Sequence, residues 1–209
     1  MPKIASALLL SLLAGSAGAQ TFLFATLSNG AENPPAVPTT VGGQPRPASS
    51  GTASFFIDSA ATFMTFTATI FNIDVTGSQT TDPNDNLTAA HIHAGPAVTP
   101  TTNAGVVWGF FGAPFNDNAP NDMTVTAFGS GVGGTFSGKW DLLEGNNTTL
   151  TAQLPNILAG RSYINFHTTQ FGGGEVRGAL LPEPGAIAPL FCGLAALGSR
   201  LMRRRSRKA

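Results

Sequence analysis

Residues 65–70 alternate without interruption, Thr65, Thr67 and Thr69 interleaving with Phe66, Ala68 and Ile70. A period of two places the hydroxyls on one face of an extended chain and the apolar groups on the other, which defines a strand with one wet and one buried face. Runs of β-branched and aromatic residues recur at 21–27, 51–58, 88–94, 105–111, 123–128, 134–141, 148–153, 161–169 and 175–181. Turn-forming clusters separate them, among them Asp82-Pro83-Asn84-Asp85-Asn86 and Gly172-Gly173-Gly174. No segment between the two chain ends keeps a helical period. The expectation is an all-β domain of roughly nine or ten short strands in an antiparallel sandwich or flattened barrel. The proline-dense stretch 34–47 suits a surface loop or edge cover, because proline cannot donate to a sheet ladder. The likeness of Gly51-Thr52-Ala53-Ser54-Phe55 to Gly134-Thr135-Phe136-Ser137-Gly138 does not recur at a fixed period, which argues against a repeat architecture.

The two ends read as addresses rather than as fold. Lys3, an apolar stretch over 4–14 and Ala17-Gly18-Ala19 are the three parts of a secretory signal peptide, with cleavage expected after Ala19. At the other end, Pro182-Glu183-Pro184 precedes an uncharged apolar run over 186–199 and a basic cluster of Arg200, Arg203, Arg204, Arg205, Arg207 and Lys208. That run has 14 residues, short of the roughly 20 needed to span a bilayer, and the basic flank holds its end on the cytoplasmic side. This order of parts resembles the PEP-CTERM sorting signal of Gram-negative bacteria, in which the tail is removed during export. The resemblance implies export and sorting machinery as partners. It also implies transient inner-membrane association through a C-terminal helix, and a final place at the cell surface or outside the cell. The expected organisation is a signal peptide over 1–19, a β domain over 20–181 and a sorting tail over 182–209.

With the ends set aside, the domain carries Arg46, Lys139, Arg161 and Arg177 against ten Asp and Glu, a net charge of −6. Nucleic acid is therefore not an expected partner. The sole cysteine, Cys192, lies in the apolar tail, so the domain has no internal disulfide to lean on.

His91-Ile92-His93 places two imidazoles on one face of a strand. In Tyr163-Ile164-Asn165-Phe166-His167 the apolar Ile164 and Phe166 share one face, and Tyr163, Asn165 and His167 the other. Glu175 and Arg177 flank Val176 on a last strand that the Gly172–Gly174 turn would pair with the His167 strand, bringing Glu175 near His167. Three imidazoles with a carboxylate suit Zn²⁺ or Cu²⁺. The alternative is that the histidines only hydrogen-bond neighbouring strands and loops.

Leu27-Ser28-Asn29-Gly30-Ala31-Glu32-Asn33-Pro34-Pro35, Ala89-Ala90-His91-Ile92-His93-Ala94-Gly95-Pro96-Ala97, Tyr163-Ile164-Asn165-Phe166-His167-Thr168 and Gly174-Glu175-Val176-Arg177-Gly178 occur in that order. Together they resemble the CHRD domain, named for chordin, over about residues 22–181. The resemblance implies an immunoglobulin-like β-barrel and brings no established enzymatic activity. Chordin's growth-factor regulation is not carried over, because its cysteine-rich repeats have no counterpart here. Residues 108–134 exceed the compact family pattern, and an inserted hairpin is expected there.

Other chemistry is weaker. Asp82, Asn84 and Asn86 alternate like early ligands of a calcium loop, but lack the glycine and terminal glutamate of an EF-hand, and Asx-rich turns arise from backbone bonding alone. There is no Gly-x-Ser-x-Gly elbow and no P-loop Lys-Ser/Thr pair. Trp108, Phe110, Phe111 and Phe115 are expected mainly in the core. Two readings result. The first is an exported, non-enzymatic domain without cofactor, acting at the cell surface or in an extracellular matrix, with polysaccharide or a surface protein as partner. The second is a secreted copper or zinc protein using His91, His93 and His167, with Glu175 as a fourth ligand or as a partner to one of them, that handles the metal or runs redox chemistry on it.

Overall fold

The computed structural model describes residues 20–118 and 120–182. The signal peptide, Glu183 and Pro184 of the sorting motif, the apolar run and the basic tail lie outside the described residues.

Among the described residues ten strands run β1 Thr21–Ser28, β2 Ser50–Ile57, β3 Phe63–Phe71, β4 Leu87–Ala94, β5 Val106–Phe111, β6 Thr124–Ala127, β7 Gly133–Asp141, β8 Ser162–Thr168, β9 Val176–Ala179 and β10 Leu181–Pro182. They form one antiparallel path in the order β5-β4-β8-β9-β1-β2-β3-β7-β6, with β10 beside β1. The joint between β9 and β1 is narrow, a single pairing of Ser28 with Arg177. The path curls there, so that β5 from one end faces β3 and β7 from the other. Phe110 of β5 comes within 4.7 Å of the Phe66 ring of β3, and Trp108 stacks on Trp140 of β7 at 5.5 Å and 3°. The result is a curled half-barrel around an aromatic core in which Trp108, Phe110, Phe136, Trp140 and Phe166 are fully buried.

The alternation over 65–70 has the expected effect: Phe66, Ala68 and Ile70 face the core, while Thr67 is exposed. The 108–134 segment holds the end of β5 and the short strand β6, which pairs with β7 beyond it, with Trp108 and Phe110 in the core and Phe115 exposed. Pro182, the first residue of the expected sorting motif, pairs with Leu23 in β10. Among the described residues no helix is long and apolar enough to cross a membrane.

One element differs from the sequence expectation. Residues 148–153 do not form a strand; α1 spans Leu150–Leu158, capped by Thr149, whose hydroxyl accepts from the Ala152 N–H at 3.3 Å. The β-branched residues around 148–151 masked a different period: Leu150, Leu154 and Ile157 recur at i, i+4 and i+7, and Leu150 and Ile157 are fully buried. Gly160, at φ 68°, ends the helix in the left-handed conformation that glycine adopts at least cost.

Candidate metal centre

β4 and β8 pair with His91 opposite Asn165 and His93 opposite Tyr163, and β8 pairs with β9 so that Asn165 lies opposite Arg177. Directly opposed residues in an antiparallel pair share a face. One face of this three-strand unit is therefore apolar, with Ile92, Ile164, Phe166 and Val176 in the aromatic core. The other carries His91, His93, Tyr163, Asn165, His167 and Arg177, and it too is buried: β8 is buried at every residue. Loops supply that second cover. The chain around Ala104, the turn at Ala113, the turn at Gly172 and the proline-dense loop before β2 all lie over the polar face.

The three histidines converge. One ligand nitrogen from each lies within 4.8 Å of the others. His91 Nδ1 and His167 Nε2 are 3.1 Å apart. The remaining nitrogens point outward to backbone carbonyls: His91 Nε2 to Ala113 O at 3.2 Å, His167 Nδ1 to Gly172 O at 3.1 Å, and His93 Nδ1 to Ala104 O at 2.8 Å. His93 Nε2 is buried with no hydrogen-bond partner among the described residues.

This geometry fixes the proton count. A carbonyl only accepts, so each outward nitrogen must carry the ring's one proton, which leaves the inward nitrogen of each neutral imidazole as a bare lone pair. His91 Nδ1 and His167 Nε2 then set lone pair against lone pair at hydrogen-bond distance. An added cation, a proton or a metal ion, resolves this with both carbonyl bonds kept; the other tautomer of either ring resolves it only by giving up its carbonyl. The proton is disfavoured at neutral pH: burial, reinforced by His167 and His93, pushes His91 down to about 4. Burial likewise pushes His93 down to about 4 and His167 down. Carbonyl-held imidazoles with inward lone pairs are the arrangement that orients histidine ligands around a metal.

Tyr163 stacks on His93 at 4.7 Å and 3°, and the Arg177 guanidinium sits 3.6 Å over the Tyr163 ring. Arg177 also donates to Asn103 Oδ1, Thr99 O and Thr102 O, which ties the 99–103 loop over the site.

Glu175 does not join the histidines. Its carboxylate accepts from Arg46 Nη2 at 3.0 Å, from the Thr168 hydroxyl at 2.6 Å and from the Ser49 hydroxyl, and the pair with Arg46 is buried on both sides. The β8–β9 pairing was legible, but Arg46 arrives from the proline-dense loop and takes the carboxylate. Asp82 and Asn84 tie their turn to the proline-dense loop: Asp82 Oδ1 accepts from the Val41 and Asn84 N–H groups, and Asn84 donates to Thr39 O. The three carbonyls that orient the rings have no sequence signal, because every residue carries one.

Fold and site together define a class, an all-β half-barrel domain with a buried polar layer built around three histidines. The CHRD domain family matches residues 23–180, and the chain belongs to it. No curated protein and no solved structure matches the chain.

Proposed function

We propose that this is an exported CHRD-domain protein that holds one transition-metal ion at His91, His93 and His167, without enzymatic activity of its own. The observation that carries the reading is the proton shortfall between His91 Nδ1 and His167 Nε2, 3.1 Å apart with both outer nitrogens committed to carbonyls. Imidazole nitrogen suits copper and zinc. The signal-peptide pattern over 1–19 and the Pro182-Glu183-Pro184 tail support export, handling by sorting machinery, a transient stay at the inner membrane and a final place at the cell surface or in the extracellular matrix.

The deciding measurement is metal content, by mass spectrometry, of the exported protein purified without an affinity His-tag, beside a His91→Ala/His93→Ala control. One equivalent of copper or zinc, absent from the control, is expected. Folded protein that is metal-free and stays empty after reconstitution would reduce the histidines to a structural role.

The polysaccharide partner is favoured by one surface. Thr26, Thr52, Thr69, Thr135 and Thr126 lie opposite one another across β1-β2-β3-β7-β6, next to a second row of Ser54, Thr67, Ser137 and Thr124 that begins at the exposed Phe24. These two rows are uncharged, and hydroxyls beside an aromatic ring match a neutral sugar chain. Co-sedimentation with an insoluble neutral glucan, lost in Thr67→Lys/Thr69→Lys, is the expected result; equal sedimentation of the variant would remove this partner.

A further inference from the structure

The choice of ion rests on the reading of the three histidines as a metal centre, and the charge around them sets it. Among the described residues the convergent group contains histidine alone, with no carboxylate and no thiolate. Each imidazole keeps its proton on a nitrogen bound to a backbone carbonyl. The donor set is therefore neutral, and none of its members can become an imidazolate without breaking that bond.

Among the described residues no carboxylate joins the three histidines. Glu175 is spent on Arg46 at 3.0 Å. Glu32 is buried, which raises its carboxyl above the usual range; it lies beside Asn165 and faces Arg177 rather than the histidines. The charge coupled most directly to the site is positive: Arg177, over the Tyr163 ring that stacks on His93. The histidines are only 4%, 7% and 7% exposed, so solvent screens little of this.

Desolvation cost grows with the square of an ion's charge, so a divalent ion stripped of water here would cost roughly four times as much as a monovalent one. It would also face the guanidinium with twice the repulsion. Zn²⁺ held by three histidines takes a water as its fourth ligand, so zinc here would have to bring that water into the buried site. Three neutral nitrogens suit a three-coordinate monovalent ion.

We infer that the centre selects copper in the +1 state, Cu(I), over Zn²⁺ and Cu²⁺. The ion enters and leaves as Cu(I), with no electron transferred, and the loops carrying Ala104, Ala113 and Gly172 shield it from oxidant.

The test is an anaerobic titration of the metal-free full chain against three probes. Cu(I) is presented through a competing chromophoric chelator, Zn²⁺ through a second indicator, and Cu²⁺ is followed by electron paramagnetic resonance. One equivalent of Cu(I) is expected, bound at least about a hundredfold more tightly than Zn²⁺. In Arg177→Gln the gap is expected to narrow about tenfold, and Arg177→Lys to keep it. The wild-type comparison decides even if those variants fold poorly. Zn²⁺ or Cu²⁺ bound as tightly as Cu(I) overturns the Cu(I) assignment and leaves a metal centre in place. Folded protein that binds none of the three overturns both.

Discussion

Gly109 shows how closely the loop over the centre is built. A Cβ there would lie 1.8 Å from Pro114 O and 3.1 Å from His91 Cδ2, so Gly109→Ala must push the 113–114 turn off His91. Loss of metal together with a few kcal/mol of stability is expected. Gly105→Ala, with nothing within 4 Å of its Cβ, is the matched control and should change neither. Asp117, fully buried in the loop before β6, carries a different kind of strain: burial, with Asp122 and Glu144 nearby, pushes its carboxyl up to about 6 from 3.8. A raised pKa means that the folded state holds the proton more tightly. The associated stability is complete below pH 3.8 and is lost as pH rises through about 6, up to about 3 kcal/mol. Urea denaturation of Asp117→Asn should therefore show a stability gain over wild type at pH 7 that vanishes near pH 4. A gain of equal size at both values would remove the charge explanation.

At the scale of elements, the proline-dense loop between β1 and β2 is a lid pinned by one ion pair. Arg46 reaches Glu175, Gln170 and the Thr39 carbonyl, so the loop's own residues and the strand behind it share one polar cluster. Arg46→Met leaves a fully buried carboxylate without its cation and should cost about 3–5 kcal/mol in chemical denaturation. Glu175→Gln in the same background should recover part of that cost, because the amide needs no counter-charge. The helix makes a smaller claim: Thr149→Ala removes one N-cap acceptor and should cost about 1 kcal/mol. That helix was hidden in the sequence by a local conflict, threonines that favour strands lying over apolar residues at helical spacing, and burial of Leu150 and Ile157 decided the outcome.

The whole molecule closes through β5. Phe110 touches Phe66, Phe136, Phe166 and Trp108, which come from β3, β7, β8 and β5 itself, so one ring holds both ends of the curled sheet. Phe110→Ala should cost about 3–5 kcal/mol. The near-UV dichroism of the stacked Trp108–Trp140 pair should vanish together with the far-UV signal in a single transition; separate midpoints would show that the two halves of the sheet unfold independently. The period of two in the sequence determined which side chains share a face, and with it the strands, the paired histidines on β4 and the company of Tyr163, Asn165 and His167 on β8. It also placed Glu175 at the start of the strand that pairs with the His167 strand, where it stands one residue before β9. Only the tertiary structure decided that both faces of β4 and β8 are buried, that His167 lies against His91 across 76 positions of chain, that three backbone carbonyls orient the rings, and that Glu175 belongs to Arg46. Alternation fixes direction within a strand, whereas depth and partnership depend on which loops fold back over it, and those contacts are made between residues far apart in the chain.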